Sequence, residues 1–329
     1  MKEVRARVIS QEKGKYKISV GDEVRYAVVS GKYRYETKTV SDYPAVGDYV
    51  TAQFNDDESD AVITGLFPRK SCFIRKSAGT DGREQVVASN IDTVFICMSL
   101  NNNFNIRRLE RYLSVAYDSG AVPVIILTKS DLCSDVENKI SEVQKSAFGV
   151  DILPVSSLNG DFESVMKYIK PAETIAFLGS SGVGKSTLIN KLTGFDSIPA
   201  REVGKNDKGR HTTTHRQLIT LPNGASVIDT PGMRELGMWD SSDGIDTAFS
   251  DIEELSHRCR FSDCTHTSEP GCAVKKAIND GILDPNRYKS YIKLKTENEY
   301  NADAGGYLEK KREKFKEIAK INKNSKSRY

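Results

Sequence analysis

The nine residues Gly179-Ser180-Ser181-Gly182-Val183-Gly184-Lys185-Ser186-Thr187 match the pattern G-x-x-x-x-G-K-[ST]. They stand between the apolar run Thr174–Leu178, which predicts a buried strand, and an amphipathic stretch from Lys185 to Leu192, which predicts a helix. No other stretch of the chain restricts the fold as much. The glycines let backbone N–H groups turn inward, and the helix N-terminus adds the positive end of its dipole, so the loop is suited to a polyphosphate. Lys185 is expected to reach the β- and γ-phosphates, and the Ser186 hydroxyl is expected to ligate Mg²⁺. A loop of this kind belongs at the edge of a mostly parallel sheet covered on both faces. The surroundings agree. Strands are predicted at 93–98, 122–127 and 152–155, and helices at 105–118, 135–148 and 162–169. A strand pair is predicted over 217–221 and 225–228, across Pro222-Asn223-Gly224.

Three further segments fit the same site. Asp229-Thr230-Pro231-Gly232 closes the strand Ser226-Val227-Ile228. Asp229 is placed to hold the metal through water, and the Gly232 N–H to contact the γ-phosphate, so that its loss acts as a conformational switch. Thr128-Lys129-Ser130-Asp131 follows the strand Val124-Ile125-Ile126-Leu127 and resembles the guanine-specificity motif N-K-x-D, with Thr in place of Asn. A carboxylate at Asp131 accepts from guanine N1–H and N2–H₂, a pair that adenine does not offer, while the Lys129 stem packs on the base. Val155-Ser156-Ser157 resembles the last base-contacting loop, whose backbone N–H meets guanine O6. The order of the motifs is unusual. The base motif precedes the phosphate loop, which precedes D-T-P-G, whereas common GTPases begin with the phosphate loop. A circular permutation accounts for this, because domain termini lie close in space and a chain can be reopened at a surface loop. It also leads the switch segments directly into residues 240–300, which a nucleotide-dependent shift at Gly232 is expected to move.

Residues 1–68 read as about five short alternating strands, which predicts a small closed barrel of the oligonucleotide-binding type. The acidic turn Asp56-Asp57-Glu58-Ser59-Asp60 is expected to be a solvated loop. After about residue 241 the chain turns helical, with Ile245, Phe249, Ile252 and Leu255 on one stripe. Cys259, Cys264, His266 and Cys272 then supply three thiolates and an imidazole within 14 residues, a tetrahedral donor set suited to one structural Zn²⁺. The competing reading is a group of buried thiols beside an incidental His. His257 falls outside the compact set, and Cys72, Cys97 and Cys133 read as core or surface thiols. With six cysteines in 329 residues, a disulfide scaffold is excluded.

Charge decides less than its total suggests. Lys plus Arg is 48 against 45 for Asp plus Glu, which excludes a bulk polycation. Residues 310–329, however, carry nine basic and two acidic side chains. That tail reads equally as an RNA-binding segment or a solubilising end. In the barrel Arg5, Arg7, Lys15, Lys17, Arg25, Lys32, Arg34 and Lys38 are interleaved with Tyr16, Tyr26, Tyr33 and Tyr35, a pattern suited to phosphate contact and base stacking, with about half of the tyrosines expected in the core. No apolar run approaches the ~18 residues of a membrane span, and Met1–Arg5 does not begin a secretory signal. A cytoplasmic protein without membrane partners is expected, and nothing in the pattern demands more than a monomer.

Taken together, Gly179–Thr187, Gly209-Arg210-His211-Thr212-Thr213-Thr214, Asp229–Gly232 and Cys259/Cys264/His266/Cys272 resemble the circularly permuted, small-ribosomal-subunit-dependent GTPase A family (RsgA, also called YjeQ). The resemblance spans nearly the whole chain. It implies a multi-domain α/β protein with an N-terminal five-stranded OB-type barrel (1–68), a circularly permuted P-loop GTPase domain (69–238) and a C-terminal helical zinc-binding domain with the basic tail (239–329). It further implies binding of GTP/GDP, Mg²⁺ and Zn²⁺, a late role in maturation of the 30S subunit with contact to 16S rRNA, and GTP hydrolysis stimulated by that subunit. The Gly209–Thr214 run resembles switch I, in which Thr213, with Thr212 as the alternative, reaches Mg²⁺ and the γ-phosphate. By the same resemblance, His211 approaches the attacking water. Met233 stands where many GTPases carry a water-orienting Gln, so slow intrinsic hydrolysis is predicted. The rival readings are a P-loop ATPase or nucleotide kinase, against which Asp131 argues, and an RNA-binding adaptor with a vestigial nucleotide site, against which Lys185, Ser186 and Asp229 argue.

Overall fold

The structure is a computed structural model that describes residues 2–12, 14–54, 60–76, 84–156, 162–194, 216–229 and 242–302. The chain divides into two compact units, Met1–Gly237 and Met238–Tyr329.

The first unit begins with a closed barrel of β1 (Lys2–Glu12), β2 (Lys15–Val20), β3 (Glu23–Val29), β4 (Tyr49–Phe54) and β5 (Ala61–Leu66). The strand order is β1-β2-β3-β5-β4, and β4 returns to pair with β1 from Lys2↔Phe54 to Arg7↔Tyr49. Alternation points Ala6, Val8, Ile18, Ala27, Val50, Ala52, Ala61 and Ile63 inward as a dry core. A short helix, α1 (Gly31–Glu36), follows β3, and its Tyr33 packs against this core. Ser30 caps it by accepting from the Tyr33 N–H at 3.0 Å. Tyr16 is buried and Tyr33 packs against the core, whereas Tyr26 and Tyr35 are exposed, so the expected division of the tyrosines is found.

The nucleotide-type sheet follows. Its elements are β8 (Thr93–Ser99), α2 (Ile106–Ser119), β9 (Val122–Thr128), α3 (Val136–Gln144), β10 (Ile152–Val155), α4 (Glu163–Met166), β11 (Thr174–Leu178), α5 (Lys185–Thr193), β12 (Arg216–Thr220) and β13 (Ser226–Asp229). The order is β10-β9-β8-β11-β13-β12, parallel except for β12. Every residue of β8 and β11 is buried, as their continuous apolar runs predicted. Phe95 and Phe177 stack at 5.2 Å between them. Helices α3 and α4 are shorter than their apolar spacing suggested. Helix α3 ends at Gln144, and Phe148 beyond it is 92% exposed. The hairpin β6 (Cys72–Lys76) with β7 (Glu84–Ser89) was not anticipated.

Barrel and sheet form one body. The far end of β1 pairs with β12 at Ser10↔Gln217 and Gln11↔Arg216, so a single eleven-stranded sheet runs through both. A buried cluster seals the junction. The Asp48 carboxylate, fully buried, accepts from Arg69 Nε at 2.8 Å and Nη2 at 2.7 Å, from Ser89 Oγ at 2.5 Å and from the Ala45 N–H at 2.8 Å. Gly47 beside it has φ 97°, and a Cβ there would lie 2.2 Å from the Ser89 carbonyl oxygen, so only glycine fits. Arg7 does not face solvent with the other barrel cations. Its guanidinium donates to Thr174 Oγ1 at the start of β11. It is therefore removed from the set of RNA-facing residues that the sequence pattern suggested.

The second unit is helical, with α6 (Ser242–Ala248), α7 (Ser250–Ser256), α8 (Ala273–Asn279) and α9 (Pro285–Ala302). The single apolar stripe expected from 245 to 255 is broken at Phe249 into two helices, but Ile245, Phe249 and Ile252 are all buried. Arg287 of α9 locks them. It donates to both Asp251 oxygens at 2.7 and 2.8 Å and to the Ala248 carbonyl at 2.9 Å, and lies over the Phe249 ring.

Candidate functional site

The phosphate-loop pattern folds as its residues require. β11 ends at Leu178, the loop opens at Gly179, and α5 begins at Lys185. Gly179 has φ 146°, and a Cβ there would stand 2.5 Å from the Cys97 carbonyl of β8, so the loop starts where only a bare backbone can pass. The Lys185 ammonium, largely buried, donates to the carbonyls of Gly179 at 2.5 Å and Ser180 at 2.6 Å. It therefore lies inside the loop, at the helix N-terminus, where a phosphate would receive both its charge and the helix dipole. Ser186 and Thr187 follow in the first turn of α5. Burial pushes the Cys97 thiol behind the loop up to about 12, so it is a neutral packing group.

The base motif is joined to this loop by hydrogen bonds. Thr128 Oγ1 donates to the Val183 carbonyl at 2.6 Å, and Lys129 Nζ to the Gly182 carbonyl at 3.0 Å. Thr at this position, where the common motif has Asn, thus retains a tether to the phosphate loop. Lys129 sits in the left-handed region with φ 58°, which turns the chain so that Asp131 follows on a 3₁₀ turn. Asp131 is exposed, and its Oδ1 accepts from Ser156 Oγ at 2.7 Å. Ser156, from the loop after β10, therefore orients the carboxylate that the sequence reading assigned to the base. β13 lies beside β11 in parallel register, with Ala176↔Ile228, so the backbone of Asp229 reaches the same edge of the sheet as the phosphate loop. Ser157, Gly232, and the switch candidates His211, Thr212 and Thr213 lie outside the described residues, as do Asp56–Ser59 and the tail at 310–329.

A further segment, 100–105, reaches this edge and carried no motif that sequence reasoning could use. Its signal is an asparagine-rich run, Asn101-Asn102-Asn103-Phe104-Asn105, directly after a fully buried strand. The Leu100 N–H donates to the Thr128 carbonyl at 2.9 Å, and Asn103 Nδ2 donates to Ser180 Oγ at 3.1 Å.

In the second unit, Cys259, Cys264, His266 and Cys272 converge, with all four ligand atoms within 4.8 Å of one another. Cys259 Sγ lies 3.9 Å from Cys272 Sγ. His266 Nδ1 lies 3.6 Å from Cys259 Sγ and 3.4 Å from Cys272 Sγ. A tetrahedron with Zn–S of ~2.3 Å and Zn–N of ~2.05 Å has edges of about 3.8 Å between sulfurs and about 3.5 Å between nitrogen and sulfur. The three separations among Cys259, His266 and Cys272 match these edges, and Cys264 supplies the fourth donor within 4.8 Å. His266, at φ 58°, turns Nδ1 to the sulfurs and Nε2 to Ser256 Oγ at 3.2 Å, and burial lowers its pKa, which favours the neutral ring a metal needs. Burial opposes ionisation of Cys259, but the N–H groups of Val274 and Ala273 and hydrogen bonds from Cys264 and Cys272 outweigh it and lower the thiol's pKa. Glu269 organises the loop between ligands by accepting from the N–H groups of Thr265, Thr267 and Ser268 at 2.9, 2.9 and 3.0 Å. Its hydrogen bond from Thr265 Oγ1 at 2.5 Å is the leading cause that holds this carboxylate far below its usual range. Exchanging Cys272 for Ser is expected to reduce bound zinc, measured by atomic emission on the purified full chain, from one equivalent to about none. Unchanged zinc content would refute the site.

A parallel sheet carrying a G-x-x-x-x-G-K-S loop, with a base motif hydrogen-bonded to that loop and preceding it in the chain, defines a P-loop GTPase domain of circularly permuted order. Comparison with known proteins is specific: the model of the RsgA GTPase family matches residues 66–239, and the chain belongs to that family. It is 46% identical to the small ribosomal subunit biogenesis GTPase RsgA 2 of Lactiplantibacillus plantarum, over 91% of this chain and 84% of that protein. It is 39% identical to the small ribosomal subunit biogenesis GTPase RsgA of Methanosarcina acetivorans, over 95% and 85%. Among solved structures, YjeQ from Thermotoga maritima superposes with TM-score 0.68 at 25% identity, covering 90% of this chain and 98% of that one. YloQ, a circularly permuted GTPase, superposes with TM-score 0.64 at 28% identity, covering 91% and 96%.

Proposed function

We propose that this GTPase acts in biogenesis of the small ribosomal subunit, with GTP turnover accelerated by the subunit it binds. The observation that supports this most directly is that relatives named for that process match over nine-tenths of the chain, while the permuted motifs converge on one edge of one sheet. In this reading Lys185 holds the β- and γ-phosphates, and Gly179–Gly184 with Thr187 wrap them. Thr128, Lys129, Ser130, Asp131, Ser156 and Ser157 seat the guanine. Ser186, Asp229 and Thr213 hold Mg²⁺, which supplies charge neutralisation on the phosphates. Gly232 reports the γ-phosphate, and His211 approaches the water. The four donors at 259–272 hold one structural zinc. The segments act as three domains bounded at 68/69 and 238/239, in a cytoplasmic monomer.

The barrel is the proposed contact for 16S rRNA. Its surface offers the exposed Tyr26 beneath Lys17 and Lys15, at 5.1 and 5.9 Å, and the partly buried Phe54 beneath Arg25 at 5.2 Å. Lys32, Arg34 and Tyr35 are exposed on α1. Such cation-over-ring pairs offer a stacking surface together with phosphate contacts. Among the described residues no helix is long and apolar enough to cross a membrane.

The test is GTP turnover with and without purified 30S subunits at several salt concentrations. Turnover alone is expected to be slow, with Met233 in place of a water-orienting side chain. Subunits are expected to raise it at least tenfold, and the rise is expected to shrink steeply as salt increases, because phosphate contacts release counterions. No acceleration at low salt would refute the ribosomal reading while leaving the GTPase intact.

A further inference from the structure

The asparagine run after β8 is not a passive connection. Asn101 folds it: Asn101 Oδ1 accepts from Ser99 Oγ at 2.9 Å and from the Asn103 N–H at 3.0 Å, and the Asn101 carbonyl accepts from the Phe104 N–H at 2.9 Å. Asn105 ends it as the N-cap of α2, accepting from the Arg108 N–H at 3.0 Å. Between them Asn103 is held from the helix side. Arg108 Nη2 donates both to the Asn103 carbonyl and to Asn103 Oδ1, each at 2.7 Å.

That double contact determines the amide's orientation. A guanidinium has donors and no acceptor, so the oxygen of the Asn103 amide must face Arg108 and its NH₂ must face away. The NH₂ meets Ser180 Oγ at 3.1 Å, and Ser180 is the second residue of the phosphate loop. In this contact the serine hydroxyl is the acceptor, which leaves its own proton to be donated elsewhere. The Ser180 carbonyl is meanwhile occupied by Lys185 at 2.6 Å. Backbone and side chain of this loop residue are thus tied to two different partners.

We infer that Asn103, aimed by Arg108, is a positioning residue for nucleotide binding: it orients the Ser180 hydroxyl so that its proton points to the bound phosphates. Its role is separate from the ribosomal reading, and it rests only on binding of a guanine nucleotide at this loop. The chemistry predicts an order among variants. Asn103→Ala removes the donor. Asn103→Asp keeps the Arg108 contacts but replaces the donor with a carboxylate, which draws the Ser180 proton away from the phosphates and adds negative charge beside them.

The test is a double-mutant cycle on the full chain, read as the Kd of fluorescent GDP and of a non-hydrolysable GTP analogue, without ribosomes. Asn103→Ala and Ser180→Ala are each expected to weaken binding about fivefold, the size of one neutral hydrogen bond. The double variant should be no weaker than either single one, because one residue acts through the other. Asn103→Asp should be weaker than Asn103→Ala, and Arg108→Ala should itself weaken binding and leave Asn103→Ala little further to remove, because Arg108 aims the amide. Single-variant losses that multiply in the double variant, or an Asn103→Asp protein that binds as tightly as Asn103→Ala, would overturn the inference. Thermal midpoints measured alongside separate it from a folding defect, since a merely structural Asn103 would lower the midpoint without coupling to Ser180.

Discussion

Replacing Asp131 with Asn is expected to weaken GTP binding about 100-fold or more and to create binding of XTP. The carboxylate proposed to accept from guanine N1–H and N2–H₂ makes two charge-assisted contacts, each contributing about 1.5–3 kcal/mol. An amide keeps one acceptor and turns a donor toward the exocyclic position. There it repels the guanine amino group but complements the carbonyl that xanthine carries instead. The structure permits the exchange, because the partner of Asp131 is the Ser156 hydroxyl at 2.7 Å, which can donate or accept. Competition of GTP, XTP and ATP against a fluorescent nucleotide reads all three affinities. Equal losses for every nucleotide, with no gain for XTP, would mean that Asp131 does not face the base.

The second large effect concerns stability and lies away from the nucleotide. Removing the Asp48 carboxylate by Asp48→Ala is expected to destabilise the first unit by about 3–5 kcal/mol. The carboxylate is fully buried and its partner Arg69 nearly so. Arg69 keeps contacts to the carbonyls of Ser41 at 2.6 Å and Tyr43 at 2.9 Å, so after truncation a buried cation persists without its counter-charge. The cost is one of desolvation rather than of lost attraction. Replacing both members with apolar residues, Asp48→Leu with Arg69→Met, should therefore recover part of the loss. Urea unfolding followed by circular dichroism measures both. A single truncation costing less than about 1 kcal/mol would show that the cluster is no more than a surface ion pair.

What could be read from the sequence was what depends on local chemistry. A phosphate loop, a Cys/His cluster and a fully apolar strand each carry their constraint within a dozen residues, and Gly179–Thr187, Cys259–Cys272 and β8 stand where the residues implied. The unread parts depend on distant partners. Arg7 has the pattern of a surface cation, and only the closure of the barrel against β11 turns it onto Thr174. Among the described residues the hairpin β6–β7 is short and pairs only with itself, so periodicity barely registers it. Phe148 extended an apolar helical spacing that burial does not honour. Asn103 is invisible without Arg108 behind it, because its meaning lies in which end of an amide faces a guanidinium 2.7 Å away.

The shared ladder between β1 and β12 has a mechanical consequence. Domains connected by a linker can swivel, and a load applied to one is dissipated in the joint. Here the joint is hydrogen-bonded backbone, at Ser10↔Gln217 and Gln11↔Arg216, reinforced by the buried Asp48 cluster. Strand β12 is also antiparallel to β13, whose last residue is Asp229. Binding energy gained on the barrel therefore bears on the sheet that carries the nucleotide site through hydrogen-bonded backbone rather than through a linker.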